Sequence, residues 1–592
     1  MMLPTPPVPW QITGNHWLSL PCIHPADGAL HAIGILHRGA RAAVEFAGAP
    51  DFITGGGPAL ARPVLYVDGT RRELGAERIA WERAAGWLPT FTCTVDSLVL
   101  RGTVFAPFGR DADVPGAVYV IAVENRGDRE LEVALALEGV LGHRQLRVRS
   151  ARPFDDAHRV TTAVDDVVIL EGSALPGLVA LALGTDPEGT VETDSTSARY
   201  ALRRTLRIAA GGRDQAAFYI AAGPERDGAQ GTVAIMRRRG WRDLLSTTRE
   251  ALQSLEQTAG SEGVDRLINR NLLFAYFYGV ARALDDAHYY LVRTRIPWHG
   301  RGITLRDWEA LMWTLPAVQL ADAPLARELL LRICELHGYA PGRGVNYVDG
   351  TLFEPGFSLE GAAAYALAVD RYIRETGDDE VVDEPILADT LYLAADDLAQ
   401  RRDKRLPLYA TEVGPTGEPV PFAFTLHGNA VVALALDVLR RTLDEDAARE
   451  IEDPEVVRAS LLRHFTIERN GKPAFASASD LAGNHVAEDD PHASALWLPA
   501  YEAVERHDST YRRTVRGLGA EPRHLALQCA RLLGPEGMEV LEWLRRAPLD
   551  QGIASEIVEA DGRAAANGGD ASLSGLLAWC AWYAVNALGV RP

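Results

Sequence analysis

The chain has 592 residues, more than one hydrophobic core usually holds, so two or more domains are expected. Apolar residues make up 47% and charged residues 24%, as in a globular protein, and no run is apolar enough for a membrane-spanning helix. The net charge of -20 argues against nucleic acid and anionic membranes and suits a neutral ligand.

The N-terminal stretch MMLPTPPVPWQITGNHW has neither a basic nor an apolar segment, so no signal peptide is expected. Five cysteines, Cys22, Cys93, Cys334, Cys529 and Cys580, stand far apart without a CxxC pair. They read as buried thiols of a cytoplasmic protein, without a disulfide frame or zinc site.

The first 240 residues read as a β-sandwich. AVYVIAVENRGDRELEVALALEGVL offers two alternating runs joined by Asn125 to Asp128, a hairpin pattern. YVDGTRREL, TCTVDSLVLRGTVFAP and RYALRRTLRIAAGGRDQAAFYIAAG repeat it, with Gly and Pro between. Residues 241–262 read as a helical linker. From 263 to 592 the period changes to three and four residues, in segments such as VDRLINRNLLFAYFYGVARAL, LRDWEALMWTLPAVQL, HGNAVVALALDVLRRTL, ASALWLPAYEAVER and LSGLLAWCAWYAVNAL. Eleven such segments come near the twelve helices of six hairpins. The loops between them are long and rich in Gly, Pro and aromatics, as functional loops are.

Four loops hold the candidate chemistry. In RIPWHGRGITLRDWEALMW, Arg306 and Asp307 enter a helix beside Trp298, Trp308 and Trp313. A carboxylate and a guanidinium backed by aromatic faces suit a sugar. Asp307 also fits a helix N-cap, and the tryptophans fit a core. In GVNYVDGTLFEPGFSLEGAAAY, Asn346, Tyr347, Asp349, Phe353 and Glu354 form a polar, aromatic loop before a helix that starts at Ser358 to Gly361. In LPLYATEVGPTGEPVPFAFTLHGN, Glu412 and Glu418 lie in a loop stiffened by three prolines, ahead of Asn429. A carboxylate ordered among aromatics can be raised in pKa, as a general acid requires. In QGIASEIVEADGRAAANGGDASLSGLLAWCAW, Glu556 stands among Ile553, Ile557 and Val558 and reads as drawn inward, whereas Glu559, Asp561 and Asp570 read as solvated.

Taken in order, these segments resemble the six-hairpin, or (α/α)6-toroid, glycoside hydrolases, with the glucoamylase, debranching glucosidase and exo-α-1,6-mannosidase types nearest. TLRDWEALMW looks like their sugar-holding Arg-Asp motif. SEIVEADG before the last apolar segment is similar to the loop bearing their catalytic base, which falls on Glu556. PTGEPVPFAFTLHGN resembles their acid loop, with Phe422, Phe424 and Asn429 in place. The first acid of that loop is Gly417 here and the second is Glu418, so Glu418 and Glu412 both stand as general acid. NHVAEDDPHASALWLPAYEAVER resembles an acidic sugar-contacting segment and implicates Asp489, Asp490 and His492. Trp298, Trp308, Tyr347, Asp349 and Glu354 complete the expected sugar contacts.

The resemblance implies an N-terminal antiparallel β-sandwich followed by an (α/α)6 toroid. The implied activity is inverting, exo-acting hydrolysis of an α-glucoside or mannoside of a small oligosaccharide, without metal or other cofactor. Phosphorolysis on the same toroid, a polysaccharide lyase and a non-catalytic sugar-binding relative are the alternatives. Only Arg563 stands near Glu556 as a cation in the sequence, which favours hydrolysis over phosphorolysis. Monomer and homodimer are both left open.

Overall fold

A computed structural model describes residues 8–591 except 75–78, 149–150, 155–157, 164–165, 174–176, 187–188, 517 and 519–522, and except the side chains of Ala151, Ala163 and Asn567. The first seven residues, part of the stretch read as lacking a signal peptide, lie outside it. Among the described residues no helix is long and apolar enough to cross a membrane.

The N-terminal part is an antiparallel sandwich of an eight-stranded, a six-stranded and a five-stranded sheet. The expected hairpin at Asn125 is not one. Gly116–Asn125 lies in the eight-stranded sheet between Leu98–Phe105 and Arg213–Gly223. Leu131–Val140 lies in the five-stranded sheet, between Arg62–Val67 and Arg199–Ile208. The chain thus turns a corner from one sheet to the other, and the connection from Ile208 to Arg213 turns the same corner beside it. Asn125 joins the two corners. Its backbone N–H donates to Gly212 (2.9 Å), its carbonyl accepts from Gly211 (2.8 Å), and its side-chain amide donates to Arg129, Ile208 and Ala209 carbonyls. A buried amide that satisfies this many backbone groups holds a crossing that ladder bonds do not reach.

Both faces of Gly116–Asn125 are covered, which is why that run is almost continuously apolar. Tyr119, Ile121 and Val123 face the sandwich core, while Val118 and Val120 join the core continuous with the helical part. Two helices follow the last strand, α1 (Arg226–Arg239) and α2 (Trp241–Leu255), with Gly240 at φ 85° between them. The helical connection therefore starts at Arg226, ahead of the 241 expected from the sequence, because α1 lies against the eight-stranded sheet rather than beyond it.

The helical part comprises α3 (Glu262–Phe274), α4 (Leu315–Ala321), α5 (Ala323–His337), α6 (Leu359–Thr376), α7 (Pro385–Arg401), α8 (Leu426–Thr442), α9 (Glu445–Glu450), α10 (Pro454–Phe465), α11 (Ser509–Val515), α12 (Leu525–Leu532), α13 (Gly537–Leu544) and α14 (Ala571–Asn586). Helices α6, α8, α12 and α14 are buried on nearly all sides, the mark of an inner ring. The first inner position is α4, preceded by a π-helical turn, Glu309–Thr314. The fourth inner position differs from expectation. ASALWLPAYEAVER winds only a 3-10 turn, Ala495–Trp497, and continues irregularly. Pro499 has no N–H for a helix and would clash with the Ala495 carbonyl, and Glu502 sits at φ 56°. Similarly, the run read as one helix from Val264 passes into a π turn at Ala275–Gly279 and then a short strand, Val280–Arg282.

The sandwich buttresses one toroid loop. Arg295, fully surrounded, donates to the carbonyls of Asn15, Phe277 and Trp17 at 2.7, 3.1 and 2.9 Å. Tyr278 donates its hydroxyl to the Thr13 carbonyl (2.7 Å). The loop from Arg293 to Arg301 is thereby anchored, and it carries side chains of the site.

Candidate active site

The N-terminal ends of the inner helices gather at one mouth of the ring. Ser358, Thr425 and Asp570 cap α6, α8 and α14 by accepting from the backbone N–H three residues on. Ser358 therefore has the helix-start role its spacing suggested. Asn429, completely buried, binds both backbone groups of Tyr409, at 2.7 and 3.0 Å. It positions the loop that carries Glu412 and Glu418.

Arg306 lies on a two-residue strand paired with Val345, and Val345 pairs with Glu354. Its guanidinium is buried, which lowers its pKa, and Nη1 has no hydrogen-bond partner among the described residues. Gly417, at φ 87°, packs directly on it, and a Cβ there would collide with the guanidinium. Glycine thus stands at this position because the arginine occupies the space a side chain would need. Asp307 is 1% exposed and accepts from Gly342 N–H (2.8 Å) and Tyr365 hydroxyl (3.0 Å). Burial pushes its carboxyl up to about 6. Both oxygens are thus engaged by the protein. Through these bonds Asp307 ties the Gly342 loop and α6 together.

The deepest charges were not singled out in the sequence. Arg293 donates twice to Asp570 Oδ2 (2.8 and 3.0 Å), and its Nη1 lies 3.1 Å from Glu309 Oε1. His299 Nε2 lies 3.6 Å from the same Asp570 oxygen. Burial raises Asp570, but Arg293 and His299 outweigh it and hold the carboxyl well below its usual range. The reading of Asp570 as solvated is therefore corrected: it is 1% exposed, fixed both as helix cap and as partner of a buried guanidinium. Glu309, 4% exposed, is raised in pKa by burial, and Arg293 and Arg306 only partly offset that. It sits in the π turn, a winding that re-aims side chains and is common at functional sites. Asp570 carried a signal, an Asp directly before an apolar helix. Nothing in the sequence marks Arg293, its partner 277 positions away.

Glu556 lies on the strand Ser555–Val558, not in a loop. Ser555 is fully buried and Ile557 and Val558 nearly so, which fixes the strand face, while Glu556 is 17% exposed. His492 Nε2 is 3.7 Å from Glu556 Oε1, and the His492 ring packs on Trp313 at 6.0 Å. The neighbouring strand carries His524. Burial and the His492 ring lower the pKa of His524, against the pull of Glu556 and Asp490. Asp490 accepts from the His492 N–H (2.8 Å). Asp489 is engaged by Ser494 Oγ (2.5 Å) and Ala495 N–H (3.0 Å), and burial pushes its carboxyl up to about 6.

The candidate loops meet through a chain of neighbours. Gly417 touches Arg306, a Cβ on Gly414 would lie 4.0 Å from Asp490 Oδ2, and Asp490 leads through His492 to Glu556. Glu418 is exposed at the end of a tight turn in which its carbonyl accepts from Gly414 N–H (2.8 Å). Glu412 differs: its carboxylate accepts from Phe357 N–H (2.9 Å) and Arg401 (2.7 Å), which lowers its pKa. Held ionised, it ties two loops together.

The remaining candidates sit at the rim or in the core. Trp298 is half-buried and donates to the Gly568 carbonyl (2.9 Å). Trp308 is 2% exposed and stands edge-on to His427 and Tyr501, so it is core rather than a stacking face. Tyr347 packs edge-on to Phe353 and beneath Arg41 of the sandwich, and Asp349 pairs with Arg41 at 2.6 Å. Glu354 pairs with Arg301 at 3.3 Å.

No family profile matches the chain, and no curated protein matches it either. Solved structures do. A bacterial glucoamylase complexed with acarbose aligns over 98% of this chain and 95% of its own, with TM-score 0.62 and 10% identity. A metal-independent alpha mannosidase from Streptococcus pneumoniae, in a non-productive complex with alpha-1,6-mannobiose, aligns over 58% of this chain and 98% of its own, with TM-score 0.46 and 12% identity. At 10% identity the glucoamylase likeness speaks of fold, and that match spans both parts of the chain. The chain has the six-hairpin (α/α)6-toroid fold of the glucoamylase-like enzymes, with an antiparallel β-sandwich before the toroid.

Proposed function

We propose that the chain is an inverting, exo-acting glycoside hydrolase that removes α-linked glucose, or mannose, from a small oligosaccharide. The observation that carries this reading is the convergence of buried, unpartnered polar atoms on the mouth that holds Glu556. Among the described residues Arg306 Nη1, His299 Nδ1 and His524 Nδ1 are buried without hydrogen-bond partners. Buried polar atoms are rarely left unpaired, and a polyhydroxy ligand supplies both donors and acceptors.

In this reading Glu556 is the general base and takes a proton from the attacking water. Glu418 is the general acid and protonates the leaving oxygen. An inverting pair stands roughly 6.5–9.5 Å apart with the water between. Glu412 is the weaker acid candidate, because its carboxylate is already engaged by Arg401 and the Phe357 N–H. Arg306 fixes the sugar ring, and the Arg293–Asp570–Glu309 cluster keeps the floor rigid.

A second reading is phosphorolysis. The cationic or protonatable groups beside Glu556 include Arg293, His492 and His524, more than the sequence suggested, and such a group suits phosphate. One experiment separates them. Cleavage of an aryl α-glucoside is expected in phosphate-free buffer and is expected to fall by roughly 10³-fold or more in Glu556→Gln. Strict dependence on added phosphate would establish the second reading, and near-normal turnover of the variant would remove Glu556 from the chemistry.

A further inference from the structure

The toroid axis holds a cavity of about 680 Å³ whose mouth lies at the C-terminal ends of the inner helices. Its walls are the later turns of α6, α8 and α14, and it opens where their C-terminal ends meet solvent, beside exposed Arg374, Glu502 and Arg506. Residues between Trp497 and Arg506, where the fourth inner position is not a helix, line one wall. It reaches inward as far as Trp313 and His492, the latter 3.7 Å from Glu556, so its inner end adjoins the candidate active site while its mouth does not.

Its lining is not that of a packing defect. Arg374 pairs with Asp370 at 2.9 Å, and Arg441 pairs with Asp437 at 3.2 Å. Arg371 lies 4.7 Å over the Trp579 ring, with Nη1 buried and without a hydrogen-bond partner among the described residues. Two stacked aromatic pairs come from different elements, Trp579 with Tyr583 (4.9 Å, 19°) and Trp497 with Tyr501 (6.3 Å, 21°). Four arginines face four carboxylates, those of Asp370, Glu375, Asp437 and Glu502, so the wall is neutral overall. A neutral wall gives an anion no net attraction. It does offer alternating donors and acceptors interleaved with aromatic side chains, the complement of a neutral sugar. The mouth runs on into a surface depression of about 800 Å³ along α10 that shares Pro499, Glu502 and Arg506. A ligand longer than one ring fits that continuation.

We propose that this axial cavity is a second binding site, for a neutral oligosaccharide, on the reverse face of the toroid. It does not depend on hydrolysis at Glu556. The test uses full-length Glu556→Gln, titrated calorimetrically with maltotetraose and with α-1,6-mannobiose. Two classes of site are expected with one of these sugars. Asp437→Ala combined with Arg506→Ala, both solvent-accessible positions, should weaken one class roughly tenfold, as loss of one or two polar contacts does, and spare the other. Arg306→Ala should do the reverse. A single class removed by the cavity pair and indifferent to Arg306→Ala would support the cavity site and sink the catalytic reading. Binding unaffected by the cavity pair, no binding of either sugar, or a cavity response to inorganic phosphate alone would each overturn the proposal.

Discussion

Gly417 and Glu418 carry the sharpest question at the residue scale. Sequence places an acid-loop likeness here but finds glycine where the first acid is expected. The structure supplies the reason, since the Arg306 guanidinium fills that space. Glu418 and Glu412 could not be told apart in sequence because their difference lies in partners: Phe357 is 55 positions from Glu412. Glu418→Gln is expected to slow hydrolysis of unactivated disaccharides by about 10²–10⁴-fold while sparing aryl glycosides with good leaving groups. Glu412→Gln should leave that leaving-group dependence unchanged. Steady-state rates on both substrate types decide between them, and the opposite pattern would make Glu412 the acid. The inward placement of Glu556 was legible for a plain reason. Its apolar neighbours Ile553, Ile557 and Val558 are buried, so the strand face is set by residues next to it.

Elements with clear helical period were legible from local spacing, and those governed by distant partners were not. The Asn125 crossing looked like a hairpin because turn residues fix a bend without saying which sheet receives the next strand. The fourth inner segment looked helical because its apolar spacing outweighed the single Pro499 in the reading, although the proline dominates in the chain. Asp570 shows the same divide: its cap role is local, its ion pair is not. Asp570→Asn keeps a capping side chain but leaves Arg293 without its main counter-charge. Removing one partner of a buried pair costs about 3–5 kcal/mol. The sign with pH follows from the depressed folded-state pKa. The stabilisation is present above the unfolded value of an aspartate and is lost as pH falls through the folded one. Urea unfolding should therefore show the wild type well above Asn at pH 7 and the two converging in strong acid. Equal midpoints at pH 7 would mean that the pair contributes nothing.

At the scale of the whole molecule, the sandwich and toroid share a polar seam as well as an apolar core. Arg295 gathers three carbonyls from both parts, and its loop continues to His299 and Trp298. The architecture was legible as a change of period near residue 240, but the seam was not, because its partners are roughly 280 positions apart. Arg295→Ala leaves those carbonyls unpaired. It is expected to split calorimetric unfolding into two transitions and to lower kcat/KM through the loosened loop. A single unshifted transition would show that apolar packing alone joins the parts.

The most direct measurement is the anomeric configuration of the first product, followed by NMR as wild-type protein cleaves an aryl α-glucoside or α-mannoside in phosphate-free buffer. The account predicts that the β-anomer appears first and then mutarotates. An α-anomer appearing first would contradict the inverting assignment of Glu556 and Glu418.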